Sequence, residues 1–238
     1  GGFATVAGGV MAIYVGFLSD VPGIAGHLVT ASIISAPAAL AIAKIMVPET
    51  EEPATSGEIQ LSYEKIDING IDAVSRGTLE GLRLALNIGA MLIVFVAIIA
   101  MVNGLLGLLG GALGLELSLQ GLCGYVFFPL ALLMGIPWHE AMQVGTLLGE
   151  KIILTELIAF THLRDIQMGA EALSERSAVI ASYALCGFAN FASIGIQIGG
   201  IGGIAPERRS DLAKLGFRAM IGGTIAAMMT GGVAGVLL

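Results

Sequence analysis

Charge is scarce in this chain. Of 238 residues only 12% are charged, 11 Lys plus Arg against 18 Asp plus Glu, for a formal charge of -7. A soluble globule, with about a quarter of its residues charged, is excluded by that shortage. The acidic balance leaves no basic face for nucleic acid, so no nucleic-acid partner is expected. Cysteine is nearly absent, and Cys123 and Cys186 both lie in apolar runs; they make no disulfide framework and read as small core residues. Histidine occurs only at His27, His139 and His162, which read as isolated side chains at the membrane interface. His139-Glu140 opens like a zinc-protease HExxH, but Gln143 holds the second histidine position, so the metal pair is missing. No GxSxG elbow occurs either, and an enzyme is not expected.

Apolar text is what the chain has instead. Hydrophobic residues make up 56%, glycine adds 35 positions, and the mean hydropathy is +0.91, which excludes disorder. Residues 1–19, 21–43, 84–115, 117–138, 177–206 and 219–238 carry no charge, and a hydrocarbon core about 30 Å thick needs about 20 helical residues. The fold class read from this is all-α: a polytopic membrane protein. Gly1-Gly2-Phe3 begins inside an apolar run without Met or a basic leader, so the expectation is a piece of a longer chain, with no signal peptide.

Along the chain, residues 1–18 read as one span and 27–47 as a second that Pro37 should kink or break. The acidic stretch 48–76 reads as a solvated loop, and 77–115 as a long helix whose helicity the glycines after Asn103 should exhaust. Those glycines follow a helix and lack a GK[ST] ending, so they suit close helix packing better than phosphate binding. Residues 118–136 read as an interfacial helix, with Trp138 as an anchor. In 139–164 polar groups interrupt the helical text, and neither half is long enough to cross; a re-entrant hairpin satisfies the backbone better. Residues 177–205 and 212–238 read as the last two spans. Arg208, Arg209, Lys214 and Arg218, with Lys44, Lys65, Arg76 and Arg83, fall on one side if 118–136 does not cross. The positive-inside rule makes that side cytoplasmic and the C-terminus external.

Gly2-Phe3-Ala4-Thr5-Val6-Ala7-Gly8 aligns without a gap on Gly187-Phe188-Ala189-Asn190-Phe191-Ala192-Ser193. In the span count the two runs point in opposite directions, as in inverted-repeat transporters whose broken helices meet at the midplane. Within this setting Glu156 is the strongest site candidate, because a carboxylate at helix-centre depth costs about 3 kcal/mol on insertion scales. A structural pair with Lys151 is disfavoured, since five residues on one helix separate the two by about 140°. Glu150 and Lys151 read either as lying near an aqueous surface or as tying the hairpin to its neighbours. Asn190 and Ser193 share a face that Gln197 continues. An acid, an amide and a hydroxyl together can clamp a sugar, because each bonds a hydroxyl as donor or acceptor. From the residues alone this is a secondary transporter of some small polar solute. A channel is the alternative, although its polar stripe would have to run through the whole bilayer.

Two segments carry a closer likeness. Gly149-Glu150-Lys151-Ile152-Ile153-Leu154-Thr155-Glu156-Leu157-Ile158-Ala159-Phe160 resembles the GxKxxxNEFxAY hairpin, and Cys186-Gly187-Phe188-Ala189-Asn190-Phe191-Ala192-Ser193 the CGFANxxS broken helix, of the concentrative nucleoside transporter family. His27-Leu28-Val29-Thr30-Ala31-Ser32, Ser35-Ala36-Pro37-Ala38-Ala39-Leu40 and Pro48-Glu49-Thr50-Glu51 are similar to its HLLTAS, SAPAAL and PETE text. The resemblance implies the C-terminal portion of a homotrimeric, elevator-type symporter in a bacterial inner membrane, coupling sodium or protons to nucleoside uptake, with no cofactor. It implies that Glu156, Asn190 and Ser193 hold the ribose, that Phe188 and Val10 line the pocket, and that Thr5 and Val6 offer oxygens to sodium. Thr155 departs from the family's usual Asn. The family's first hairpin, with its base-reading residues, is not in this sequence, so the chain by itself is not expected to transport.

Overall fold

The computed structural model describes residues 1–50, 67–115 and 117–238. Most of the acidic stretch expected as a loop, residues 51–66, lies outside the described residues. The rest is helical, with no strand among the described residues: α1 (Gly8–Phe17), α2 (Ile24–Met46), α3 (Gly70–Leu113), α4 (Leu119–Leu133), α5 (Trp138–Ile153), α6 (Glu156–Met168), α7 (Glu175–Leu185), α8 (Phe191–Ile204) and α9 (Arg209–Leu237), with a 3-10 turn at Pro206–Arg208. Ile24–Met46, Val96–Leu113 and Pro206–Leu237 are long and apolar enough to cross a bilayer, which supports a polytopic all-α protein.

Polar side chains start five of these helices. Asn69 accepts from the Asp72 N–H, Ser118 from Gly121, Thr155 from Ile158, Ser174 from Ser177 and Asn190 from Ser193, each pairing an amide that a helix start leaves open. The capping matters most at α6 and α8, because both begin beside buried groups.

The helix bounds differ from the sequence reading in three places. Residues 1–7 are not helical, and the first span shrinks to the ten residues of α1. α2 runs unbroken through Pro37, since a single missing N–H is tolerated where the remaining ladder holds. α3 begins at Gly70, not residue 77, and runs through Gly104, Gly107, Gly110 and Gly111. It stops at Gly114, whose φ of 68° closes the last turn through a bond to the Gly110 carbonyl, the left-handed cap that glycine adopts freely.

α2, α7 and α8 pack on α9, while α4 lies along α5. That last contact is close because both helices are small-sided: a Cβ on Gly145 would fall 2.7 Å from the Gly124 carbonyl oxygen, and one on Gly149 2.5 Å from Cys123 Cβ. α3 is held to α4 by Asn103, whose side chain donates to Gln120 Oε1 and accepts from the Leu119 N–H, both at 2.8 Å. Glu140 at the base of α5 accepts from the Ser174 N–H at 2.9 Å and from its hydroxyl at 3.0 Å, fixing the hairpin base to the start of α7. Arg176 donates to the Gly135 and Gly235 carbonyls and adds α9 to the same clasp.

A cavity of about 300 Å3 is lined by both Lys44 and Arg218. One residue from each of the two basic groups singled out in the sequence therefore lines the same cavity. Outside the spans, Arg76 grips Asp67 with two bonds of 2.7 Å and holds its carboxyl below the usual carboxylate range.

Candidate functional site

The hairpin forms because the helical text fails at Leu154-Thr155. α5 ends at Ile153, Leu154 takes φ -92° and ψ -100°, and Thr155 restarts the chain as the cap of α6, its hydroxyl reaching the Ile158 N–H at 3.5 Å. Glu156 thus sits at the first position of a helix, where the open amides and the helix dipole favour an anion. It is 3% exposed.

A second interruption faces it. α7 ends at Leu185 and α8 begins after Asn190. Between them Gly187 takes φ +147°, and the Asn190 N–H donates to the Phe188 carbonyl at 3.0 Å. The Asn190 side chain then works in two directions. Its Oδ1 accepts from the Ser193 N–H at 2.8 Å, and its Nδ2 donates to Glu156 Oε2 at 2.9 Å. Capping fixes which way the amide points, so the nitrogen must face the carboxylate.

The other carboxylate oxygen, Oε1, accepts from the Tyr14 hydroxyl at 2.9 Å. Tyr14 belongs to α1, is fully buried, and stacks on Phe160 of α6 with ring centroids 4.3 Å apart and planes 21° apart. One buried carboxylate therefore joins three elements: α1, the hairpin tip and the break before α8. An anion in apolar surroundings has to be paired in this way to persist.

Of the residues singled out in the sequence, Glu156, Asn190 and Ser193 come together, all within 3% exposure. Val10 lies one turn before Tyr14 on α1, and Val10 and Phe188 are half-buried against the same core that holds Tyr14 and Phe160. Thr5 and Val6 lie in the non-helical segment before α1, where the Thr5 hydroxyl donates to the Gly1 carbonyl at 3.3 Å and Val6 is buried. That segment touches the other interruption: a Cβ on Gly187 would fall 3.0 Å from both the Phe3 and the Ala4 carbonyl oxygens. The two aligned heptapeptides therefore pack on each other. Gln197 lies against Gly2, where a Cβ would fall 2.5 Å from its Nε2.

Of the two readings of Lys151, a place near an aqueous surface or a tie between the hairpin and its neighbours, the second holds: it is 1% exposed and donates to the Ala184 carbonyl at 2.8 Å, at the end of α7. Two expectations need correction. The angle computed for Lys151 and Glu156 assumed one continuous helix, and the break at residues 154–155 removes that assumption. Nor are all the histidines isolated. His162 bonds Glu150 at 2.8 Å across the hairpin, and His27 bonds the Tyr183 hydroxyl at 3.2 Å. Tyr14, which no motif indicated and which lies one turn beyond Val10, is the functional candidate missed in the sequence.

Residues 27–235 match the family described as "Na+ dependent nucleoside transporter C-terminus". The chain belongs to that family. It is 44% identical over 214 residues to an uncharacterized transporter, YutK, of Bacillus subtilis, covering 89% of this chain and 52% of the relative. It is 38% identical over 252 residues to sodium/nucleoside cotransporter 1 of Mus musculus, covering 100% of this chain and 38% of that protein. The chain thus spans about half the length of the bacterial relative and less of the mouse one. Among solved structures, CNTnw in an inward-facing substrate-bound state is similar at 40% identity with a TM-score of 0.78, covering 99% of this chain and 55% of that one. A CNTnw variant in an intermediate state reaches a TM-score of 0.83 at the same identity, covering 99% and 56%. These relatives are named as transporters.

Proposed function

We propose that the protein is a sodium-coupled nucleoside symporter in which Glu156, Asn190 and Ser193 hold the ribose. The observation that carries this reading is the Glu156 carboxylate, bonded by Asn190 across the meeting point of a hairpin tip and a helix break. Each carboxylate oxygen accepts one protein donor and retains lone-pair capacity for another. Two neighbouring sugar hydroxyls have the right number of donors for the two oxygens. Phe188 and Val10, half-buried nearby, would offer apolar contact to the rest of the nucleoside.

Sodium is favoured over protons by the sodium dependence of the matched family and by the likeness to mouse sodium/nucleoside cotransporter 1. Thr5 and Val6 would each contribute a hard oxygen from an irregular segment, the kind of backbone that binds sodium in such transporters. The packing of one aligned heptapeptide on the other supports an inverted repeat. CNTnw has been solved in inward-facing, intermediate and outward-facing states, which supports alternating access, here of the elevator type. The reading extends to a homotrimer in a bacterial inner membrane, with the two basic groups on the cytoplasmic side. It also takes 1–47 and 116–238 as the two repeat-derived units and the long helix between them as scaffold.

The test is uptake of labelled uridine by cells expressing the full-length protein. With sodium replaced by choline, uptake at two pH values should fall at least tenfold at both. Uptake that ignores sodium but rises as the pH falls would assign the coupling to protons instead.

A further inference from the structure

The Tyr14 hydroxyl has no role in any motif, yet it occupies half of the carboxylate that the site depends on. We infer that Tyr14 is a positioning residue for Glu156, holding the carboxylate plane so that its free lone pairs face two vicinal hydroxyls. The inference rests on the nucleoside reading above.

Three observations carry it. First, a carboxylate at the end of a glutamate side chain can rotate about its last bond, a broad and weakly restrained torsion. Asn190 alone pins one oxygen and leaves that rotation open. A second donor on the other oxygen, 2.9 Å away on a different helix, fixes the plane. Second, Tyr14 is itself immobile: its ring is 0% exposed and stacked on Phe160, four residues beyond Glu156 on the same helix. The phenol therefore measures its distance to the carboxylate from the face of α6 that carries Glu156. Third, Tyr14 belongs to α1, the continuation of the segment holding Thr5 and Val6. A shift in that segment reaches the carboxylate through one rigid helix and one hydrogen bond.

Substrate geometry follows. A ribose with both hydroxyls can use both oxygens, whereas a 2′-deoxyribose uses one and gains less from a fixed plane. Losing the phenol should then weaken the ribonucleoside selectively.

Tyr14→Phe keeps the ring and its stacking and removes only the oxygen. In the full-length protein, the KM for uridine should rise about tenfold with Vmax within about twofold of wild type, while the KM for 2′-deoxyuridine changes less than threefold. A uridine KM unchanged by the substitution, or a fall in Vmax with KM unchanged, would overturn the inference. A transport-independent readout accompanies it: the infrared carboxylate band assigned by its loss in Glu156→Gln should shift in Tyr14→Phe. An unshifted band overturns the inference even if transport is altered. If the wild type takes up no nucleoside but the band shifts, positioning stands and the nucleoside reading falls.

Discussion

Glu156→Gln should reduce uridine uptake by at least a hundredfold while leaving the amount of folded protein in the membrane within about twofold of wild type. The two halves of that expectation have separate causes. The fold should survive because glutamine can keep both native partners: its carbonyl oxygen still accepts from Asn190 Nδ2, and its amide can donate to Tyr14, whose hydroxyl turns to become an acceptor. Asn190 itself cannot turn, because its Oδ1 caps the Ser193 N–H. The substitution therefore removes one negative charge with little repacking. Transport should fail because one of the two acceptors offered to the sugar becomes a donor, and the other loses its charge-assisted strength. A polar site built to pair substrate hydroxyls discriminates sharply once a group is left unpaired. Uptake is measured with labelled uridine, and folded protein by surface labelling and size-exclusion profile.

Gly187→Ala should be strongly damaging for so small a substitution. At φ +147° the backbone lies where only glycine rests without strain, a penalty of about 1–3 kcal/mol for any other residue. The new Cβ would also press on the carbonyl oxygens of Phe3 and Ala4, at 3.0 Å from each, and overpacking of that sort costs about 1–3 kcal/mol more. The neighbours cannot yield cheaply, because they are backbone and Phe3 is itself wedged against Gly223 of α9, where a Cβ would fall 2.4 Å from that of Phe3. The expected result is a loss of about 3 kcal/mol of stability, read as a marked fall in the thermal midpoint of the detergent-solubilised full-length protein, with uptake reduced more than tenfold. A variant that melts and transports like the wild type would mean that the two aligned segments do not bear on each other.

Much of this site was legible in the sequence because polar atoms stand out against apolar text. Glu156 and Asn190 were visible for that reason, and the structure puts them 2.9 Å apart. What escaped was what depends on chain breaks. A helical wheel separated Lys151 from Glu156, but the wheel stops applying where α5 ends. Glu150 and His162, twelve residues apart, meet only because the hairpin folds back. Tyr14 was hidden for a different reason: a phenol is apolar over most of its surface and at home in any buried helix, so its hydroxyl carries no signal until a partner is seen. Pro37 and the glycines of α3 acted in the opposite sense. Local propensity argued for a kink or break at Pro37 and for lost helicity after Asn103, yet α2 is continuous through Pro37 and α3 through Gly111.

On the nucleoside reading, the carboxylate held between Tyr14 and Asn190 is what the substrate binds. Equilibrium binding of uridine to the purified full-length protein in sodium, with the wild type and Glu156→Gln side by side, addresses it without the complications of transport. The wild type should bind saturably and the variant at least a hundredfold more weakly; equal affinity in the two proteins would contradict the account.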